Sequence, residues 1–168
     1  MADPNAIYSI DTSFLLNLEM NYPADLFPPV RARFDELFTS GRGYIIDLVS
    51  DELAEKDDTV FQWIDQHGPA IVHKLTSDDL LKAQEVIAKF PGFVDINATK
   101  TAADPFVVAE AIRTGAIVVT HETMMQVQPT SKKAKIPNAC QDYGVRSIYT
   151  KPGPSVFTEF FREQGWQF

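Results

Sequence analysis

The chain has 168 residues, 45% of them hydrophobic, a net charge of −8 and one cysteine, Cys140. This length suits a single domain, residues 1–168, around one core, and the acidity excludes a protein that grips nucleic acid over a broad basic surface, leaving open only a local basic rim. A lone cysteine excludes an internal disulfide and fits a reducing, cytoplasmic setting. With the scattered His67, His73 and His121 it also argues against structural zinc, and no apolar run reaches the roughly 18–20 residues that span a membrane.

The opening "MADPNA" has neither the basic nor the apolar region of a signal peptide. Residues 7–10 read as a short strand that stops at Asp11, followed by a helix over about 12–18. Pro28 and Pro29 suit the start of a second helix, with Val30, Phe34, Leu37 and Phe38 on one face. "YIIDLV" is a second apolar run. Ser50 is the expected cap of a helix ending near Lys56, and Asp57 or Asp58 that of the next, which carries Val60, Phe61 and Ile64. "AIVHKL" reads as a third strand. Ser77 is the expected N-cap of a helix with Leu80, Ala83, Ile87 and Phe90 on its inner face.

The clearest helix–strand unit is "ADPFVVAEAIRTGAIVVTHE": Asp104 as N-cap, Pro105 at the first helical position, Gly115 as the stop, then an apolar run typical of a buried parallel strand. "VRSIYT" reads as the last strand and residues 154–164 as a closing helix. Alternating strands and helices imply a three-layer α/β/α sandwich with a mainly parallel sheet, whose ligand site lies at the carboxyl ends of the strands.

The acids fall near that edge. Asp11 follows the first strand, Asp47 follows "YII", Glu52 lies about a turn further on, Asp104 begins the helix before "AIVVT", and Glu122 comes two residues after Thr120. Oxygen-only donors of this kind suit Mg²⁺ or Mn²⁺. Each acid also has a simpler role. Asp11 and Asp104 are placed to cap helices, and Glu52 belongs to an acidic stretch with Asp51, Glu55, Asp57 and Asp58 that could be a solvated face.

Two stretches carry a family resemblance. "IYSIDTSFLLNL" resembles the opening of a PIN-domain nuclease: strand, Asp, a one-residue gap, a small hydroxyl residue, then an apolar helix. "ADPFVVAEAIRTGAIVVTHE" resembles its downstream signature, "VSDEL" fits the intermediate acidic position, and "KIPNACQDYGVRSI" is similar to the last loop and strand. The arrangement is most similar to a PIN-like bacterial group first described as a domain of unknown function, DUF4411, over about residues 6–150. The resemblance implies a metal-dependent ribonuclease with Asp11, Glu52, Asp104 and Glu122 as metal-site and catalytic acids, and Ser13 as a supporting hydroxyl. Thr120 stands beside them. Many members are toxins of toxin–antitoxin pairs, so an RNA substrate, an antitoxin protein and a homodimer are the partners it implies. The chain departs from the pattern in having Glu122 where Asp is usual, and Asp47 and Asp51 compete with Glu52 for the middle position.

The chemistry expected is phosphodiester hydrolysis assisted by one or two Mg²⁺ or Mn²⁺ ions. Lys132, Lys133 and Lys135 form the only basic cluster and are the weak candidates for RNA contact; an ordinary solvated loop is the competing reading. Phe157, Phe160, Phe161 and Trp166 have the helical spacing of core or interface. A haloacid-dehalogenase-like phosphatase is disfavoured because Ser13 stands where its second acid belongs, and a phosphate-accepting receiver domain fits the order of motifs poorly. The non-enzymatic alternative is a PIN-like interaction module with weak or no activity. Four mutually repelling acids argue mildly against it, since a scaffold does not need them.

Overall fold

The computed structural model describes residues 3–168; the first two residues of "MADPNA", and with them the start of the expected 1–168 domain, lie outside it. The elements in chain order are β1 (Tyr8–Ile10), α1 (Thr12–Asn21), α2 (Pro28–Thr39), β2 (Gly43–Ile46), α3 (Asp47–Lys56), α4 (Asp58–Gln66), β3 (Val72–His73), α5 (Ser77–Lys89), α6 (Asp104–Thr114), β4 (Ile117–Thr123), α7 (Ile136–Asp142), β5 (Ser147–Thr150) and α8 (Val156–Gln164). The strands form one all-parallel sheet in the order β3-β2-β1-β4-β5. Helices flank it, giving the expected three-layer sandwich. Among the described residues no helix is long and apolar enough to cross a membrane.

Strand alternation separates the two faces. Tyr8 packs edge-on against Phe160 of α8 at 5.3 Å, and Phe14, Phe34 and Phe157 extend the same aromatic layer. These rings are buried, so Phe157, Phe160 and Phe161 belong to the core. The next residue, Ser9, points to the opposite face, in register with Tyr44 of β2, whose hydroxyl donates to Glu110 of α6 at 2.6 Å. By the same parity Asp11 continues the Ser9 face. In β4, Val118, Thr120 and Glu122 share that face, while His121 turns the other way and stacks on Phe157.

Several local expectations hold: Asp57 caps α4 by accepting from Val60 N at 3.0 Å, and Gly115 ends α6 with φ 74°, a left-handed conformation open to glycine. Others are corrected. Ser50 does not cap α3, which begins at Asp47 directly after the strand. Thr76, not Ser77, caps α5, in a reciprocal capping box with Asp79. The inner face of α5 is Asp79, Ala83, Val86 and Phe90, and Leu80 is exposed. The reason is Asp79, fully buried, which receives a two-pronged bond from Arg113 of α6 at 2.6 and 3.0 Å and so turns the helix by one position. The "AIVHKL" strand shrinks to two residues because Pro69–Ile71 forms a 3-10 turn.

Arg113→Ala leaves Asp79 buried and half-partnered. The expected loss is about 2 kcal/mol of unfolding free energy, since water can reach only the Arg113 side of the pair. Urea unfolding checks it, and an unchanged midpoint would show that the pair adds nothing.

Candidate active site

In a parallel sheet each connecting helix runs back against the strands, so helix N-termini gather at the strands' carboxyl edge. The strand order makes β1 and β4 neighbours although β2 and β3 intervene in sequence. Chain direction across the sheet reverses between them, which opens a crevice at that edge. Asp11 leaves β1 there, Thr120 and Glu122 close β4 there, Asp104 opens α6 above it, and Glu52 projects from the second turn of α3.

Asp11 occupies the N-cap position of α1 but makes no capping bond. Its Oδ2 instead accepts from Ser13 Oγ at 2.6 Å and Thr120 Oγ1 at 2.9 Å. Those two hydroxyls lie 3.1 Å apart, and Ser13 Oγ also accepts from His121 N at 3.1 Å. The end of β4 is thereby tied to the start of α1 through the carboxylate. Asp104, expected as a cap, is the first residue of α6 and makes no capping bond either; Ala103 stands at the N-cap and its carbonyl accepts from Phe106 and Val107. Pro105 is accordingly the second helical residue. Glu52 Oε1 accepts from Ala103 N at 2.8 Å, which brings α3 onto the start of α6. Glu122 Oε2 accepts from Ile136 N, the first residue of α7, at 2.9 Å.

The electrostatics identify the acids that share one space. Burial lifts Asp11 above the usual carboxylate range, with Glu52 adding to the rise against the hydrogen bonds of Ser13 and Thr120. Burial lifts Asp104 further, and the charges of Asp11, Glu122 and Glu52 push the same way. Glu122 is pushed up to about 7, by burial first and then by Asp11. Of the three candidates for the middle position, Glu52 is the one whose charge acts on Asp11, Asp104 and Glu122. Asp51 is exposed, and Asp47 accepts from its neighbour Leu48 N at 2.8 Å. Lys135 offsets part of the charge on Asp104 and Glu122. Lys132 and Lys133 are exposed on the preceding turn.

Among the described residues no three His, Cys, Asp or Glu side chains stand at metal-ligand spacing. The four carboxylates repel one another with only partial compensation from Lys135 and from Lys56, 3.8 Å from Glu52, and two of them are turned onto backbone N–H groups at Ala103 and Ile136. The donor chemistry nevertheless fits Mg²⁺ or Mn²⁺: two Asp and two Glu, all oxygen, on four separate elements.

The model of one protein family, described as a domain of unknown function (DUF4411), matches residues 8–168. The chain belongs to this family. Among curated proteins none matches it. The DUF4411 match spans β1 to the C-terminus and so includes all four acids and α8.

Sequence reasoning missed two features of this DUF4411 site. Asn138 clamps the loop after β4: its Oδ1 accepts from Lys135 N at 3.0 Å and Met125 N at 3.2 Å, and its Nδ2 donates to Met125 O at 2.7 Å. Cys140 is buried close enough to Asp11 and Glu122 that burial, then those two charges, push its thiol up to about 12. An Asn three residues after the last Lys of a loop is a weak capping signal; Cys140 carried no local signal at all.

Proposed function

We propose that the protein is a metal-dependent ribonuclease that hydrolyses RNA phosphodiester bonds. The observation that carries this reading is the gathering of Asp11, Glu52, Asp104 and Glu122 into one electrostatically linked group at the β1–β4 crevice, with Lys135 beside it. Mg²⁺ or Mn²⁺ held by these carboxylates would supply a more acidic bound water and offset charge at the phosphoryl group. The chain's own contribution is placement. Ser13 and Thr120 fix the rotation of the Asp11 carboxylate. Ala103 N and Ile136 N hold one oxygen each of Glu52 and Glu122. Lys135, positioned by Asn138, offers a positive charge to a phosphate at the mouth of the crevice. The likeness to PIN-domain nucleases supports the same reading. It brings, as finer proposals, a toxin role with an antitoxin partner and a homodimer.

The test is purified protein with Mn²⁺ or Mg²⁺ on single-stranded and structured RNA, beside Asp11→Asn and Asp104→Asn. Cleavage that both variants abolish supports the ribonuclease; cleavage that persists in them points to a contaminant or another site. Ser13→Ala keeps all four acids and loses only the orientation of one. It is expected to need about tenfold more Mn²⁺ for half-maximal cleavage, the scale of a lost hydrogen bond to a metal-binding group.

A further inference from the structure

Three hollows run along the segment between α5 and α6, and they share walls. The first, about 550 Å³, begins at the site acid Glu52 and reaches Thr99, Lys100 and Thr101. The second, about 540 Å³, shares those three residues and continues past Phe106 to Val94 and Ile96. The third, about 420 Å³, shares Val94 and Ile96 and ends at Asn97, Thr130 and Lys132. The hollows therefore lie in series from Glu52, the one site acid that lines them, to the lysine turn.

The far end is built to hold its shape. Gly92 lies in the 3-10 turn Pro91–Phe93, and a Cβ there would sit 2.8 Å from both Lys132 Cα and Ser131 O. Only glycine lets the two turns meet, so the backbone of Lys132 is seated against the hollow. Its wall carries apolar side chains that the core does not use: Ile96 is 92% exposed and Val94 43%. Charge points the same way: Lys56, Lys82, Lys89, Lys100 and Lys151 are engaged with carboxylates, whereas among the described residues Lys132, Lys133 and Lys135, like the isolated Lys74, form no ion pair, and theirs is the one cluster of such lysines; Asp95 is the acid that shares the hollow with Lys132.

We infer that this third hollow is a nucleotide subsite for the RNA strand flanking the bond cleaved, with the base against Val94 and Ile96 and its phosphate against Lys132. The inference rests on the ribonuclease reading for its direction, because the series of hollows starts at Glu52. An unstacked strand can place a base in such a hollow, whereas a duplex keeps its bases stacked inside. Asn97 and Thr130 line the hollow as hydrogen-bonding partners for a base edge.

The experiment is fluorescence anisotropy of a labelled, mixed-sequence single-stranded oligoribonucleotide in EDTA, so that binding is read without cleavage. Lys132→Glu is expected to weaken binding about tenfold and to make the salt dependence shallower by about one unit. Ile96→Ser, on a side chain the core does not need, is expected to weaken it roughly fivefold. Lys82→Glu makes the same charge change elsewhere and should leave binding as it is. Wild-type affinity in both Lys132→Glu and Ile96→Ser, or equal binding of a blunt RNA duplex, overturns the subsite, and does so even if the acids cleave RNA. Conversely, loss of binding in those two variants sustains the subsite even if Asp11→Asn and Asp104→Asn leave cleavage intact and the acid site fails.

Discussion

Asp11→Asn is expected to abolish both the cleavage of RNA and the rise in melting temperature that Mn²⁺ gives the wild-type protein. At a hundredfold excess over its dissociation constant a ligand adds about 2.7 kcal/mol of stability, which for a chain of this size is roughly 5–10 °C. The rise comes from relief of a standing conflict. Asp11, Asp104 and Glu122 sit with their carboxyls raised by burial and by one another's charge, and a divalent cation removes both penalties together. Asn keeps the shape of Asp11 and can still bond Ser13 and Thr120, whose hydroxyls act as donor or acceptor. The variant therefore loses the charge and keeps the packing. Its metal-free melting temperature should equal or exceed that of the wild type, because one source of repulsion has gone. Differential scanning fluorimetry with EDTA and with Mn²⁺ reads both effects. An undiminished metal shift in Asp11→Asn would place the cation elsewhere.

The metal-free protein is expected to lose stability as pH rises from about 4.5 to 7, against the usual trend for acidic side chains. The three raised site carboxyls, and Glu110, raised by burial behind Tyr44, hold protons in the folded state at pH values where the unfolded chain has released them. Below the ordinary carboxyl pKa both states are protonated and the groups cost nothing. As pH climbs through the folded values the native state must carry buried, mutually repelling charges, so the slope of stability with pH is negative. Glu122, moved from 4.5 to about 7, carries the window at least to pH 7, with Asp104, raised well above the ordinary carboxyl range, acting in the same sense, and the total is on the order of a few kcal/mol. Asp79 and Glu163 act in the opposite sense. Burial would raise both, but the bonds from Arg113 and Arg146 outweigh it and hold them low. Their contribution is present above the ordinary carboxyl pKa and fades only as pH falls below it, outside this window. Inside it, His73 and His121, lowered by burial, gain stability as pH rises and offset part of the decline. Urea midpoints in EDTA across the range should therefore decline, and excess Mn²⁺ should flatten the decline. A midpoint that rises with pH in EDTA would contradict the buried acid group.

Much of the architecture follows from local rules that short stretches obey alone. Apolar runs ended by polar residues marked β1, β2, β4 and β5, Gly115 and Gly165 ended helices where they stand, and the placement of Asp11 and of Thr120-x-Glu122 at strand ends needed no partner. Local rules failed where a side chain answers to something distant. Asp104 before Pro105 has the sequence of a cap, yet its carboxyl makes no capping bond. The inner face expected for α5, from Leu80 to Phe90, did not include Asp79, yet Arg113, 34 residues away, draws it fully inside. Neither partner is visible in a window of one helix.

The sequence by itself determined the α/β class, the helix stops, and the acids that follow strands, because each depends on periodicity and backbone chemistry within a few residues. The tertiary structure alone decided that β1 lies beside β4, that Glu52 closes onto Ala103 at the start of α6, where its charge acts on Asp11, and that Lys132 is seated on Gly92. Those depend on strand order and on which way a side chain leaves its helix once the helix is packed, and chain spacing encodes neither. Four acids, the outermost 111 positions apart at Asp11 and Glu122, become one group only when the sheet brings β1 and β4 together.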